Sequence, residues 1–391
     1  MTSVLISGAS IAGPALAYWL RRYSFDVTIV EKAGALRGGG YPIDVRGTAL
    51  DVVGRMGLYP ALAAQHVDTR QITFLEPDGS VLTSLRPHLL DAGTDHDLEI
   101  RRGDLAAALF GTIRDDVEMI FDDSIEALTE HDTGVDVTFT GGEHRTFDLV
   151  VGADGLHSRT RGLILGPEAP YHRYLGYSFA GFGAPNHLGL SREGVMWNVP
   201  GRTAALYAVG DRPERIHAFL NVSLAEPPLD AHRNPAEQRR IVASAFGGDE
   251  SWEIPGLIAT MQQADDIFFD VVSQIRLPRW SSGRVALVGD AAHAPSFLTG
   301  QGTSLALVGA YMLAGELASH DDHRSAFEAY EKHTREFVEL NQALVGAGEA
   351  TMFPSTPEAL ARRNAMLTQL TEIPSDAEVA HSALVLPDFT R

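Results

Sequence analysis

The stretch SVLISGASIAGPALAYWLRRYSFDVTIVE, residues 3 to 31, constrains the fold more than any other part of the chain. Residues 3 to 7 read as a buried strand, Gly8 to Gly13 as a turn, Pro14 to Tyr23 as a helix, and Asp26 to Val30 as a second buried strand. This is a βαβ unit, which places two parallel strands side by side with a helix across them. The spacing of Gly8, Ser10 and Gly13 approximates G-x-G-x-x-G, and Glu31 falls where an acidic side chain accepts hydrogen bonds from an adenosine ribose. The turn, including Ile11 and Ala12, would lay a pyrophosphate on the helix N-terminal amides, with Lys32 just beyond Glu31. Pro14 suits the first helical turn, where its missing N–H is not needed. Ser10 departs from the pattern, because the middle glycine normally lets backbone approach the pyrophosphate. The plainer alternative is a glycine-rich turn with no ligand.

Two further strand-end patterns follow. In FDLVVGADGLHSRTR, residues 147 to 161, the expected strand 148–151 runs into Gly152, Asp154 and Gly155, then Ser158 and Arg161. In GRVALVGDAAHAPSFLTGQGTSLALVGA, residues 283 to 310, the expected strand 285–288 ends at Asp290 and leads through a loop into helix-forming residues. Ligands of open α/β sheets lie outside the carboxyl ends of the strands, so the three patterns describe one site.

Composition narrows the partners. The 391 residues carry 31 basic and 51 acidic side chains, a formal charge of −20. This gives no basic face for nucleic acid or an anionic membrane. There is no cysteine, which removes disulfides, thiolate metal sites and a Cys nucleophile, and no metal site is expected. Redox chemistry would have to come from a cofactor. The first apolar run is too short and too glycine-broken for a signal peptide, and no apolar stretch reaches about 18 residues, so a cytoplasmic location is expected.

The middle of the chain reads as a second, sheet-rich unit. QITFLEPDGSVLTSL, residues 71 to 85, has the form of a hairpin with a P-D-G turn, and residues 176 to 275 contain several alternating runs. The inward face of this sheet should offer Phe179, Met196, Asn198, Tyr207, His217 and Phe219 to a substrate, although aromatics at strand spacing are also ordinary core. Residues 305 to 348 and 356 to 371 have helical spacing, and the chain from Pro374 onward reads as an irregular tail. The expected division is 1–70, 99–175 and 276–322 for a nucleotide-binding domain, 71–98 and 176–275 for the sheet domain, and 323–391 for a helical segment.

Together the three motifs resemble the class A flavin-dependent monooxygenases of the p-hydroxybenzoate hydroxylase type. Gly152, Ala153, Asp154, Gly155, Ser158 and Arg161 fit G-A-D-G-x-x-S-x-x-R throughout. Gly289, Asp290, Ala291, Ala292, His293, Gly300 and Gly302 fit most of G-D-A-A-H-x-x-x-P-x-x-G-x-G-x-N. The resemblance, which extends both to the tetracycline-inactivating members and to actinobacterial-type relatives of unassigned substrate, implies an α/β fold with a Rossmann-like FAD-binding domain, an inserted antiparallel substrate sheet and C-terminal helices. It implies Glu31 at the ribose, Asp290 at a ribityl hydroxyl, and Arg102 of RGDL near the flavin with Arg101 as a competitor; Arg46 in GGGYPIDVRG is a further candidate near the flavin edge, with a surface or packing arginine as the plainer alternative. The loop Gly300, Gly302, Thr303 and Ser304 would meet the pyrimidine end, where helix N-terminal amides stabilise charge on N1 and O2. His293 is expected to order its loop.

The activity so implied is transfer of oxygen from O₂ to an electron-rich phenol, enol or polyketide-like molecule, tetracyclines included. NADPH or NADH would be the transient reductant, and a flavin C4a-hydroperoxide the oxygen donor. Two departures stand out. Phe297 replaces the family proline on the substrate side, and Ser304 replaces the family asparagine. MWNVP keeps only Trp197 and Pro200 of W-x-W-x-I-P, which argues against a halogenase. An FAD-dependent reductase of an isoprenoid-like substrate and a non-catalytic flavin-binding protein share the same motifs.

Overall fold

A computed structural model describes residues 1–36, 40–86, 97–228, 231, 234–370 and 378–389. The strand Ser3–Ser7 lies at the centre of a six-stranded sheet in the order Ser281–Ser282, Val285–Leu287, Leu149–Gly152, Ser3–Ser7, Asp26–Glu31 and Glu118–Phe121. All neighbours are parallel except the short first pair. Such a sheet needs cover on both faces, and the alternation of side chains shows how it gets it. Val4 and Ile6, with Val27 and Ile29, pack into the large core that includes the helices Ala12–Arg22 and Gly302–Ser319. Leu5 and Val30 face the other way, onto Val135, Val137 and Phe139 of a three-stranded antiparallel meander.

A seven-stranded sheet forms the second layer system. Its order is Phe268–Ile275, His172–Pro185, Arg215–Ser223, Arg202–Tyr207, Glu193–Val199, Gln71–Leu75 and Val81–Leu85. Every pairing is antiparallel except Glu193–Val199 with Gln71–Leu75. The hairpin 71–85 enters this sheet from a distant part of the chain, so its direction is not dictated by a tight turn. One face, carrying Ala180, Phe182, Leu206, Leu220 and Trp197, is covered by the helices Pro235–Ala245 and Ile254–Gln263.

The C-terminal third differs from its expected outline. The span 305–348 is three helices, Gly302–Ser319, His323–Ala343 and Val345–Met352. The first break comes at Asp322, whose carboxylate caps the next helix by accepting from the amides of Arg324 and Ser325, both at 3.0 Å. Pro357–Leu367 is helical, shorter than the expected 356–371. Residues 374–377 lie outside the described residues, but the tail beyond them is docked. The Pro387 carbonyl accepts from Arg55 at 2.8 Å and from the Tyr311 hydroxyl at 2.7 Å, and Phe389 packs on Tyr311. No described helix is long and apolar enough to cross a membrane.

Candidate active site

Three parallel strands end side by side, at Ser7, Gly152 and Leu287. Their exits are stitched together, the amide of Gly8 donating to Val30, that of Ala153 to Ser7 and that of Val288 to Gly152. Gly8 has φ of +107°, and a Cβ there would lie 2.5 Å from the Ala153 carbonyl oxygen. A Cβ on Gly13 would lie 2.0 Å from the Gly8 carbonyl oxygen. These contacts let the helix Ala12–Arg22 begin directly against the strand end, and Ile11 gives that helix no side-chain cap. The result is a glycine cradle with helix N-terminal amides open to an anion, the requirement for holding a pyrophosphate. This structure therefore fits a dinucleotide.

Ser10 has a partner that its place in the fingerprint does not reveal. Its hydroxyl accepts from Nη2 of Arg102 at 2.7 Å, while Arg101 turns to Asp104 at 2.6 Å. Glu31 accepts from the amides of Ala9 and Ala33, each at 2.9 Å, which holds its carboxylate at the mouth of the first loop. Lys32 is exposed and has no ion-pair partner among the described residues. Asp154 stands one step back. It accepts from Ser158 Oγ at 2.5 Å and from the Thr160 amide at 2.9 Å, so its oxygens order their own turn. Arg161, fully buried, carries that turn to the third loop, donating to Ala291 O at 3.0 Å and Leu156 O at 2.7 Å and pairing with Glu168.

Asp290 begins the short helix Asp290–His293 just past the third strand end, exposed to solvent yet closely surrounded by protein. That enclosure raises its pKa to about 6, with Arg102 opposing and Asp270 adding to the rise. A Cβ on Gly302 would lie 3.8 Å from its Oδ1, which sets the carboxylate beside the start of helix Gly302–Ser319. Thr303 and Ser304 are buried in the first turn of that helix, and the residue before it provides no side-chain cap. Ser304 Oγ accepts from the Arg46 amide at 3.1 Å. The Arg46 guanidinium pairs with Asp44 at 3.1 Å and Asp97 at 3.8 Å. Asp44 in turn would meet a Cβ at Gly300, where φ is +65°. Arg46 thus braces the loop from behind through a carboxylate. His293 is buried against Trp280 and Tyr330, and burial pulls its pKa down to about 3, so it is a neutral packing group.

All six residues expected on the pocket side of the second sheet share one face, opposite its two covering helices. They do not share one role. Phe219 meets Tyr41 edge-on at 5.7 Å, and Phe179 meets Phe297 at 4.7 Å. His217 is held below its ordinary pKa, chiefly by burial. Two of the expected pocket residues have their polar groups committed within the protein. Asn198 is fully buried, with Nδ2 donating to Thr203 Oγ1 at 2.7 Å and Met352 O at 3.0 Å, so it fastens the end of a C-terminal helix to the sheet. The Tyr207 hydroxyl is taken by Glu99 and Thr69, and so joins the sheet to the strand Leu98–Arg101. Met196 packs with Phe74, Leu85 and Leu367.

Sequence reasoning passed over Tyr41, which stands between Arg102, Asp290 and Phe219. It also passed over Phe353, stacked on Tyr177 at 5.0 Å and edge-on to Phe297 at 5.8 Å. Tyr41 follows a glycine run and precedes a proline, a hint that this segment is a shaped loop. Phe353 carries no local signal.

Comparison with known proteins agrees with this geometry. The family described as "FAD binding domain" matches residues 261–343. A flavin-dependent monooxygenase from an unknown prokaryotic organism is 39% identical over 340 residues, 87% of each chain. Among solved structures, tetracycline destructase Tet(55) is 36% identical with a TM-score of 0.84, covering 98% of both chains. Tetracycline destructase Tet(51) is 32% identical with a TM-score of 0.85, covering 99% of this chain and 100% of that one. A glycine cradle for a dinucleotide, the strand-end motifs around it and these relatives lead to one assignment: the chain belongs to the class A FAD-dependent monooxygenases with the p-hydroxybenzoate hydroxylase-like fold.

Proposed function

We propose that the protein uses NADPH or NADH and O₂ to hydroxylate an electron-rich phenol or enol of polyketide-like size, with tetracyclines inside that class. One observation supports the reading: Phe219 meets Tyr41, which has Arg102 and Asp290 as neighbours, and Phe179 meets Phe297, which stands in the loop between Asp290 and Gly302. FAD, when bound and reduced, supplies the activation of O₂. The chain supplies the rest. Amides at the start of helix Gly302–Ser319 stabilise negative charge near Asp290. Arg102, anchored by Ser10, adds a fixed positive charge at the same point. The aromatic face keeps water away from the reacting centre, where a wet site would waste reductant. The likeness to Tet(51) and Tet(55) supports a multi-ring substrate.

The test is an aerobic assay of the flavin-loaded protein with NADPH under ¹⁸O₂, against phenols, quinols and tetracyclines. The expected product carries one labelled oxygen. Reduction of a substrate under anaerobic conditions, with no labelled product in air, would instead support the reductase reading.

A further inference from the structure

Side-chain donors from the body of the protein grip the carbonyl groups of one short segment near the C-terminus. Asn341 Nδ2 donates to Ala380 O at 2.9 Å and Thr48 Oγ1 to Leu384 O at 2.7 Å. Arg55 Nη1 and the Tyr311 hydroxyl both donate to Pro387 O, at 2.8 and 2.7 Å. These donors sit on three helices, Thr48–Arg55, Gly302–Ser319 and His323–Ala343, so the chain from Glu378 to Phe389 straps the three together. Its side chains fix the register. His381 and Leu386 are buried, and the ring of Phe389 fills the notch left by Gly315, where an added Cβ would collide with it.

The near end of the strap reaches the segment that holds the cofactor loop. Three consecutive residues divide the contacts. The Arg46 amide donates to Ser304 Oγ at 3.1 Å, Gly47 lies against the strap, and Thr48 takes the Leu384 carbonyl. Gly47 has φ of +53° and leaves no room for a Cβ against the His381 carbonyl, so the two backbones touch directly. The His381 ring is a neutral packing group, because burial, with the Arg46 charge adding, pulls its pKa down to about 4. The far end of the strap lies elsewhere. Gly315, under Phe389, comes 13 residues after Gly302 in the same helix, a rise of about 20 Å. One segment therefore clamps the helix that begins at the cofactor loop at its far half, and reaches its first turn through residues 46–48.

We propose that Glu378–Phe389 is a strap that positions the loop Gly300–Ser304, so that docking of the strap and binding of FAD strengthen each other. Its residues are positioning residues, since they act through Gly47, Thr48 and Arg46 on Ser304. Helix N-terminal amides stabilise charge best when they are fixed before the charge arrives, and the strap supplies that fixation. The proposal rests on the reading of the start of helix Gly302–Ser319 as part of the cofactor site.

The full chain is compared with Phe389→Ala and Gly315→Ala. The first empties the notch, whereas the second fills it with a methyl group and improves the helix, so undocking does not depend on weakening the fold. FAD affinity is measured by equilibrium dialysis below the melting transition of each variant. Amide hydrogen exchange follows residues 380–389 with and without FAD. Both variants are expected to bind FAD about five- to tenfold more weakly. Exchange of the wild-type strap should slow by at least the same factor when FAD is bound, because the coupling is reciprocal. Val385→Ala, at a strap position 88% exposed, leaves the affinity unchanged. Variants that lose Tm yet keep wild-type FAD affinity overturn the proposal, and so does strap exchange that ignores FAD. The readout is FAD binding and not product, so the strap and the hydroxylation reading fail separately.

Discussion

Arg102 donates from Nη2 to the hydroxyl of Ser10 at 2.7 Å, joining the first turn of the nucleotide cradle to the start of helix Arg102–Gly111. The residue that breaks the glycine fingerprint is thus the one that holds the site's arginine. Ser10→Gly frees Arg102 without closing the cradle. FAD affinity should fall about three- to tenfold, the effect of losing one charge-assisted hydrogen bond at a partly buried site, with flavin still retained at high concentration. Equilibrium dialysis against FAD measures this, and unchanged affinity would show that Arg102 is placed by other contacts.

Gly13→Ala should be the most damaging single-methyl change in the cradle. Its Cβ would sit 2.0 Å from the Gly8 carbonyl oxygen, so the helix must move off the strand end. The expected cost is about 1–3 kcal/mol with loss of bound flavin. Gly162→Ala is the control. Gly162 lies in helix Arg159–Leu165 with nothing within 4 Å of a Cβ, and the change should stabilise by roughly 0.5–1 kcal/mol. Urea unfolding of both variants, with flavin content by absorbance, checks the pair.

His157 gives a pH signature. Burial acts to lower its pKa, but hydrogen bonds and charge from Asp270 at 3.1 Å and Glu168 at 2.9 Å outweigh that and raise it to about 9. The folded pKa lies above the unfolded one near 6.5, so the contribution is complete below about pH 6.5 and is lost as pH rises through 9. It amounts to at most about 3 kcal/mol. Because Asp270 belongs to the seven-stranded sheet and His157 to the loop after Gly152, the bond that weakens is one between the two sheets' layers. Tm measured from pH 6 to pH 10 should fall across that window, and His157→Gln should flatten the profile.

Phe297 stands between Phe179 and Phe353 and is 38% exposed. Phe297→Pro should change substrate preference more than FAD affinity. The position opens a short 3-10 turn, whose first residue tolerates proline, while Ser296 before it holds φ of +79° and ψ of 147°, a strained backbone that the change does not relieve. Product profiles and flavin content distinguish the outcomes, and a variant that merely loses flavin would count against a substrate-side role.

The strand-end motifs were legible because each depends on neighbours a few residues away. Gly8 and Gly13 meet within one turn, and Asp154, Ser158 and Thr160 bond within one loop. Alternation along strands likewise determined that Phe179, Met196, Asn198, Tyr207, His217 and Phe219 share a face. What each of them does there was decided by tertiary structure. Asn198 was claimed by the Met352 carbonyl, 154 residues away, and Tyr207 by Glu99, 108 residues away. The docked C-terminal segment follows the same logic, since its carbonyls depend on Arg55 and Tyr311. Arg363 is the clearest case. Its sequence shows only an arginine on a helix, whereas burial without an acceptor exists only once the helix has packed onto Phe74. Local sequence sets backbone geometry and facing, but the partner of a buried polar group is set by which distant segment arrives beside it.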